Sequence, residues 1–141
     1  MATNGGYTLW ITDNLLHASI HGVWNKRIAT AFKRDFMETA STLINAPWAH
    51  VVYLDKWVLG TPEIEPLIKE LGVWCAEHQL VCAAHIYCHN MLKEYQLNKM
   101  LKNDDNLFQL QHFTSQEAAQ QWLRSNNFYF TEQDFPAISN S

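Results

Sequence analysis

The stretch HVVYLDKWVLGTPEIEPLIKEL, His50 to Leu71, decides the fold predicted for this chain. Its first part, His50 to Asp55, is rich in β-branched and aromatic residues and lies between Pro47 and Gly60. This composition and length favour a strand over a helix. Apolar side chains fall on both faces of the segment, which is typical of a strand covered on both sides in the middle of a sheet.

A loop and then a helix follow this strand in the prediction. The loop runs from Asp55 to Gly60, Thr61 suits an N-cap, and Pro62 suits the first helical position. In open α/β sheets, ligands and partners gather at the carboxyl ends of the strands. We therefore expect the functional edge of the protein at the loop Asp55 to Gly60.

The bulk composition narrows the class of protein. The chain has 141 residues with 48% hydrophobic and 17% charged residues, which predicts one globular domain with a substantial core. The net charge of −4, without a Lys/Arg cluster, argues against a nucleic-acid partner. No apolar run approaches the roughly 20 residues that a membrane helix needs, so no membrane insertion is predicted. The N-terminus lacks a secretory pattern and the three cysteines form no CxxC, which together predict free thiols in the cytoplasm.

Strands and helices alternate along the rest of the chain. The predicted strands are Tyr7–Thr12, Leu15–His21, His50–Asp55, Leu80–Tyr87 and Leu107–Phe113. Helices are predicted from Asn25 to about Ile44, from Thr61 to Cys75, from Met91 to about Lys102, and after a capping box at Thr114–Glu117. Asn25 and Asn90 are the predicted N-caps of the first and third of these helices. The order β-β-α-β-α-β-α-β-α predicts a single α/β domain over residues 7–125 with a mixed, mostly parallel sheet of about five strands. Residues 1–6 are a predicted disordered lead-in, and 126–141 a C-terminal tail whose aromatic first half lies against the body.

The predicted strands alternate between a dry face and a polar-aromatic face. Leu16, Ala18 and Ile20 share one face of the second strand, and His17, Ser19 and His21 the other. In the fourth strand the two sets are Cys82, Ala84 and Ile86, and Ala83, His85 and Tyr87. We hypothesise that the helices cover the dry face, and that the tail, a partner subunit or a polar ligand covers the other. An ordinary solvated sheet face is an equal alternative.

Three short motifs carry a family resemblance: HGVWNKR at His21–Arg27, YLD at Tyr53–Asp55 with Trp57 just after, and TSQEAAQQWL at Thr114–Leu123. With their order and spacing, the chain resembles the SpoIIAA-like fold of STAS domains (sulphate transporter and anti-sigma factor antagonist). It is most similar to the small bacterial proteins grouped as SpoIIAA-like or STAS/Sec14-like. The resemblance covers Tyr7 to Leu123 and implies a mixed sheet wound as a βα superhelix.

The same resemblance implies a site for regulation. Anti-sigma factor antagonists carry a phosphorylatable Ser at the start of the helix after the central strand. At that junction this chain has Thr61 as its only hydroxyl, so Thr61 is the weak candidate for phosphorylation. A role for Thr61 as an N-cap alone is the simpler interpretation.

No catalytic or metal-binding constellation is apparent. The chain has no HExxH, no Cys/His ligand spacing, no GxSxG, no P-loop and no GxGxxG. We therefore predict no cofactor, no metal and no catalytic residues, and rank a hydrolase-type activity last.

Two functions remain. The leading prediction is a non-catalytic cytoplasmic regulatory module that acts through protein–protein contacts, with another protein or with itself as a homodimer. The alternative is a domain that binds a small apolar or anionic molecule in a pocket at the carboxyl ends of the strands, walled by aromatic side chains. The candidate binding residues for either function are Trp24, Asp55, Trp57, Gly60, Thr61, Tyr87 and His89.

Overall fold

A computed structural model describes residues 5–101 and 108–130 of the chain. Within these ranges it has six strands and four helices. In chain order they are β1 Gly6–Thr12, β2 Leu15–Trp24, α1 Lys26–Ala40, β3 Trp48–Tyr53, β4 Trp57–Gly60, α2 Ile64–Glu77, β5 Leu80–Ile86, α3 Met91–Leu101, β6 Gln109–Phe113 and α4 Gln116–Ser125.

The predicted central strand, β3, lies in the middle of the sheet. The strand order is β1-β2-β3-β5-β6, with β1 antiparallel to β2 and the other neighbours in this path parallel. Val51 is fully buried and Val52 nearly so, although they face opposite sides of the sheet. The predicted mixed, mostly parallel α/β sheet is therefore confirmed.

The segment predicted as a loop, Asp55 to Gly60, contains the strand β4, which corrects the prediction. β4 pairs in parallel with the end of β2, where Gly22 faces Trp57 and Trp24 faces Gly60. β3 pairs with β2 only as far as Ser19, so the extended end of β2 leaves backbone groups that β4 satisfies. A strand of four residues gives too little alternation to distinguish it from a loop in the sequence.

Helices lie on both faces of the sheet, so the predicted one-sided arrangement is wrong. The core beneath α1, α2 and α3 includes Leu16, Ala18 and Ile20 of β2. The opposite core joins α4, through Ala119 and Leu123, to Cys82, Ala84 and Ile86 of β5. The dry faces of β2 and β5 thus belong to different sides of the sheet.

The strand register explains this correction. His17 pairs with Val51, and Val51 pairs with Ala84, so these three residues share one side of the sheet. His85 follows Ala84 and lies on the other side. The hypothesised single polar-aromatic face therefore does not exist, because a shift of one residue in register exchanges the two faces of a strand.

Several predicted boundaries also move. α1 ends at Ala40 rather than near Ile44, since the Ser41 and Thr42 hydroxyls bond to backbone carbonyls and compete with further helix. The N-cap of α4 is Ser115, whose hydroxyl accepts from the Ala118 N–H at 3.2 Å, and not Thr114. Gly6 belongs to β1 and not to a lead-in, and β5 ends at Ile86.

The start of the predicted tail lies against the body of the protein. Phe128 and Phe130 are buried in the core beneath α4. The predictions for residues 1–4, Lys102, Leu107 and the rest of the tail, 131–141, fall outside the described residues. In the described part of the chain, no helix has the length and apolar character needed to cross a membrane.

Candidate functional site at the carboxyl edge of the sheet

The start of α3 is fixed to the ends of β3 and β5 by polar contacts. The Asp55 carboxylate accepts from the Cys88 N–H at 2.7 Å, which joins the segments that follow the two strands. The Lys93 ammonium donates to the carbonyls of Leu54 and Asp55 at 2.8 and 3.1 Å. Asn90 caps the helix, as predicted, because its side-chain oxygen accepts from the Lys93 N–H at 3.0 Å.

Gln96 connects the middle of α3 to β4. Its side-chain oxygen accepts from the Gly60 N–H at 2.9 Å, and its amide nitrogen donates to the Gly60 carbonyl at 2.9 Å. Gln96 is buried, so both bonds are shielded from water. The side chain thus replaces a strand neighbour for β4, whose preceding residue Leu59 has the left-handed φ of 56°.

The outer side of the same helix is apolar and exposed. Met91, Leu92 and Tyr95 are 77%, 65% and 65% exposed, and they lie within the first turn and a half of α3. We call these three residues the α3 surface. Single exposed apolar residues are ordinary, but a cluster is typical of a contact site. Lys99 lies 5.4 Å from the centre of the Tyr95 ring and places a cation beside the cluster.

The predicted site residues divide into an exposed and a buried group. Asp55 and His89 are exposed near the start of α3, where the His89 ring nitrogen lies 3.2 Å from the Glu94 carboxylate. Trp24, Trp57 and Tyr87 are each only 2% exposed and belong to the core. They therefore do not form the walls of a pocket at the rim of the sheet, which corrects that expectation.

Thr61 does not cap α2. The helix begins at Ile64, and its N-cap residue, Glu63, makes no side-chain capping bond. The Thr61 N–H donates instead to the Trp24 carbonyl at 3.0 Å, which extends the pairing of β4 with β2. The Thr61 hydroxyl oxygen is buried and has no hydrogen-bond partner among the described residues. A kinase would have to displace this segment to reach it.

A cavity lies between the sheet and the helices α1 to α3. Its volume is about 80 Å³, and its walls include Trp24, Trp57, His50 and His85. This cavity is distinct from the small-ligand pocket expected at the strand ends, which stays a prediction. Sequence reasoning missed His50 and His85 as neighbours, because only the register of β3 and β5 shows that they share a face.

Burial keeps both of these histidines neutral. Loss of solvation lowers the pKa of His50 to about 4, although its hydrogen bond to the Leu16 carbonyl acts in the opposite direction. Burial, followed by the nearby His50 and His112, lowers the pKa of His85 to about 3. No group of three or more His, Cys, Asp or Glu side chains among the described residues could hold a metal ion.

Comparison with known proteins identifies the architecture. No protein-family model and no curated protein matches the chain. Solved structures do match, and one is an uncharacterised protein of the DUF3478 family from Shewanella loihica PV-4 with a SpoIIAA-like fold. It has a TM-score of 0.66 and 14% identity, over 87% of this chain and 98% of that one.

The chain has a SpoIIAA-like, STAS-like fold.

A second structure with the same fold is an anti-sigma factor antagonist from Mycobacterium paratuberculosis. Its TM-score is 0.59 at 12% identity, over 88% of this chain and 99% of that one. The resemblance noted in the sequence is thus confirmed for the fold. In this SpoIIAA-like domain, the ends of β3 and β5 and the α3 surface lie at one edge of the molecule.

Proposed function

We propose that the chain is a non-catalytic regulatory module that binds another protein through the α3 surface. The observation that carries this proposal is the joint exposure of Met91, Leu92 and Tyr95 on a helix fixed to the strand ends. A rigid apolar surface binds at a lower entropic cost, because little conformational freedom is lost on association. Met and Tyr are enriched at protein–protein interfaces.

The comparisons support a protein as the partner. One of the structural neighbours is an anti-sigma factor antagonist, a protein named for its action against another protein. Charged side chains of both signs, Glu94 and Lys99, lie on the same helix and would form a mixed polar rim. The described residues thus offer an apolar centre with a polar border rather than a basic surface for nucleic acid.

The proposed setting is the reducing cytoplasm. Cys75, Cys82 and Cys88 are all free thiols. Cys88 is exposed, so it would be open to oxidation in a compartment that favours disulfides.

Native mass spectrometry of the protein purified from its own cells tests the proposal. We expect the unchanged chain to carry a second, different polypeptide, and the double variant M91S/L92S to lose it. Both replaced side chains are exposed, so the free energy of unfolding should change by less than about 0.5 kcal/mol each. Val73→Ser is the matched control, since Val73 is an exposed apolar residue on α2, outside the α3 surface.

Three results would contradict the proposal. The unchanged chain could purify alone, the double variant could retain the partner as well as the control does, or the only complex could be a pair of identical chains. The last result, together with a monomeric M91S/L92S variant, would identify the α3 surface as a homodimer contact instead.

A further inference from the structure

The cavity beneath α1 to α3 combines an apolar wall with polar groups that lack partners. His85 lines the cavity and is only 6% exposed, and no hydrogen bond joins its ring to another described residue. The indole N–H of Trp57, another lining residue, is buried and has no partner within residues 5–101 and 108–130. Burying such groups unpaired costs free energy, so their presence here calls for an occupant.

The hydrogen bond of His50 determines which of its two ring nitrogens carries the proton. Its Nδ1 lies 2.9 Å from the Leu16 carbonyl, which can only accept, so Nδ1 carries the proton. The other ring nitrogen, Nε2, is then an acceptor in the neutral ring. His50 pairs with Ala83 and Val52 pairs with His85, which makes the two histidines diagonal neighbours on one face of the sheet.

These groups define what kind of molecule the cavity would take. His50 supplies an acceptor, Trp57 a donor, and the neutral ring of His85 one of each. A hydroxyl group can donate and accept at once, which a ketone or a hydrocarbon cannot. No Lys, Arg, Asp or Glu lines the cavity among the described residues, so a charged ligand would be buried without a counter-ion.

The volume limits the size of the occupant. About 80 Å³ is well above the 10–15 Å³ that one water requires and about half of the roughly 150 Å³ that admits benzene. Met100 also lines the cavity, and its unbranched side chain can adapt to the shape of a guest. The cavity therefore suits a guest of about half the size of benzene, an aliphatic chain of roughly two or three carbons with one polar group.

We propose that this cavity is a binding site for a small neutral alcohol, an apolar molecule that carries one hydroxyl group. The site goes beyond the protein-binding function proposed above and uses none of the residues of the α3 surface. The apolar part of the ligand would contact Ile68, Leu71 and Met100. Its hydroxyl would satisfy the unpartnered groups of His85 and Trp57.

Nuclear magnetic resonance of the full chain, with ¹⁵N-labelled histidine, tests this proposal. Primary alcohols from ethanol to butanol are titrated, together with the carboxylates of the same chain length. We expect at least one alcohol to shift the ring resonances of His85 and His50 saturably, and the carboxylates to leave them unchanged. The absence of a saturable shift with every alcohol would overturn the proposal, and so would equally tight binding of the carboxylates. If no alcohol gave a saturable shift, water alone would fill the cavity.

Two variants separate the polar from the apolar contribution. His85→Leu keeps the side-chain volume similar and removes the hydrogen bond, so the alcohol should bind roughly five- to tenfold more weakly. Ala83→Val narrows the cavity from the sheet side and should weaken binding by roughly tenfold or more. Ala118→Val, on α4 at the opposite face, is the control and should bind as the unchanged chain does. Unchanged affinity in both cavity variants, with the fold confirmed by thermal unfolding, would place the ligand elsewhere and overturn the proposal.

Discussion

At the scale of single residues, His50 and His85 make the stability of the protein depend on pH. Both are buried, and burial holds the pKa at about 4 and about 3. In the unfolded chain a histidine has a pKa near 6.5. Above pH 6.5 the rings are neutral in both states and contribute no pH dependence. Below it the unfolded chain binds protons that the folded chain excludes, so the free energy of unfolding falls as the pH falls.

We expect this loss between pH 6.5 and about 4 for His50, and between pH 6.5 and about 3 for His85. Each histidine contributes a slope of up to about 1.4 kcal/mol per pH unit, so roughly 1–2 kcal/mol each is lost by pH 5. Asp35, whose pKa is lowered by hydrogen bonds from Tyr7 and Arg34, adds to the loss only at more acidic pH. Urea unfolding at pH 7.5, 6.5, 5.5 and 5.0 measures the slope.

The variant His85→Leu separates the contribution of one histidine. Its slope below pH 6.5 should be about half that of the unchanged chain. At pH 7.5 its free energy of unfolding should not fall, because no hydrogen bond joins the removed ring to a described residue. An identical pH slope in both proteins would show that His85 is not buried as a neutral group.

At the scale of elements, the attachment of α3 depends on Gln96. Replacing it by Met keeps the length of the side chain and leaves the Gly60 N–H and carbonyl without their partner. The free energy of unfolding should fall by about 1–3 kcal/mol, the cost of buried backbone groups left unpaired. Urea unfolding measures the fall, and faster hydrogen exchange at Gly60 locates it.

Asn98→Ala serves as the control for Gln96→Met. Asn98 lies on the same helix and is exposed, so its replacement should change stability by less than about 0.5 kcal/mol. If Gln96→Met were as stable as this control, the two hydrogen bonds to Gly60 would not hold α3 in place.

Gly72 offers a second test at this scale, inside α2. Alanine at this position should raise the free energy of unfolding by about 0.5–1 kcal/mol, because glycine is a poor helix former. The added Cβ would lie 3.4 Å from the nearest Leu101 methyl, an ordinary contact. Ala76→Gly on the same helix is the reverse change and should cost a similar amount. A loss of stability in Gly72→Ala would mean that the packing between α2 and α3 is tighter than described.

At the scale of the whole molecule, the sequence predicts the architecture well because the informative segments are long. The apolar run around Val51 and Val52 correctly indicates a central strand, and the alternation of strands and helices indicates the parallel sheet. Asn25 and Asn90, which come just before helical patterns, are correctly predicted as N-caps. These signals are local, so one sequence is enough to recognise them.

The features that the sequence does not predict depend on register and on distant contacts. The cavity requires His50 and His85 to share a face, and the strand β4 requires the extended end of β2. Trp24 and Trp57 come after the predicted strands, which suggests loops, but each belongs to an observed strand and is buried in the core. The α3 surface has no sequence signal of its own, because α3 is only weakly amphipathic and its attachment relies on Lys93 and Gln96. Pairings between distant segments decide these features, and a local pattern does not contain them.

Site-specific photo-crosslinking in the protein's own cells tests most directly whether the α3 surface binds another protein. A photoreactive amino acid replaces Leu92 in one variant and Val73 of α2 in the control variant. We predict that the probe at Leu92 forms a covalent adduct with one other polypeptide, and that the probe at Val73 does not. Equal crosslinking from both positions, or none from Leu92, would contradict the account.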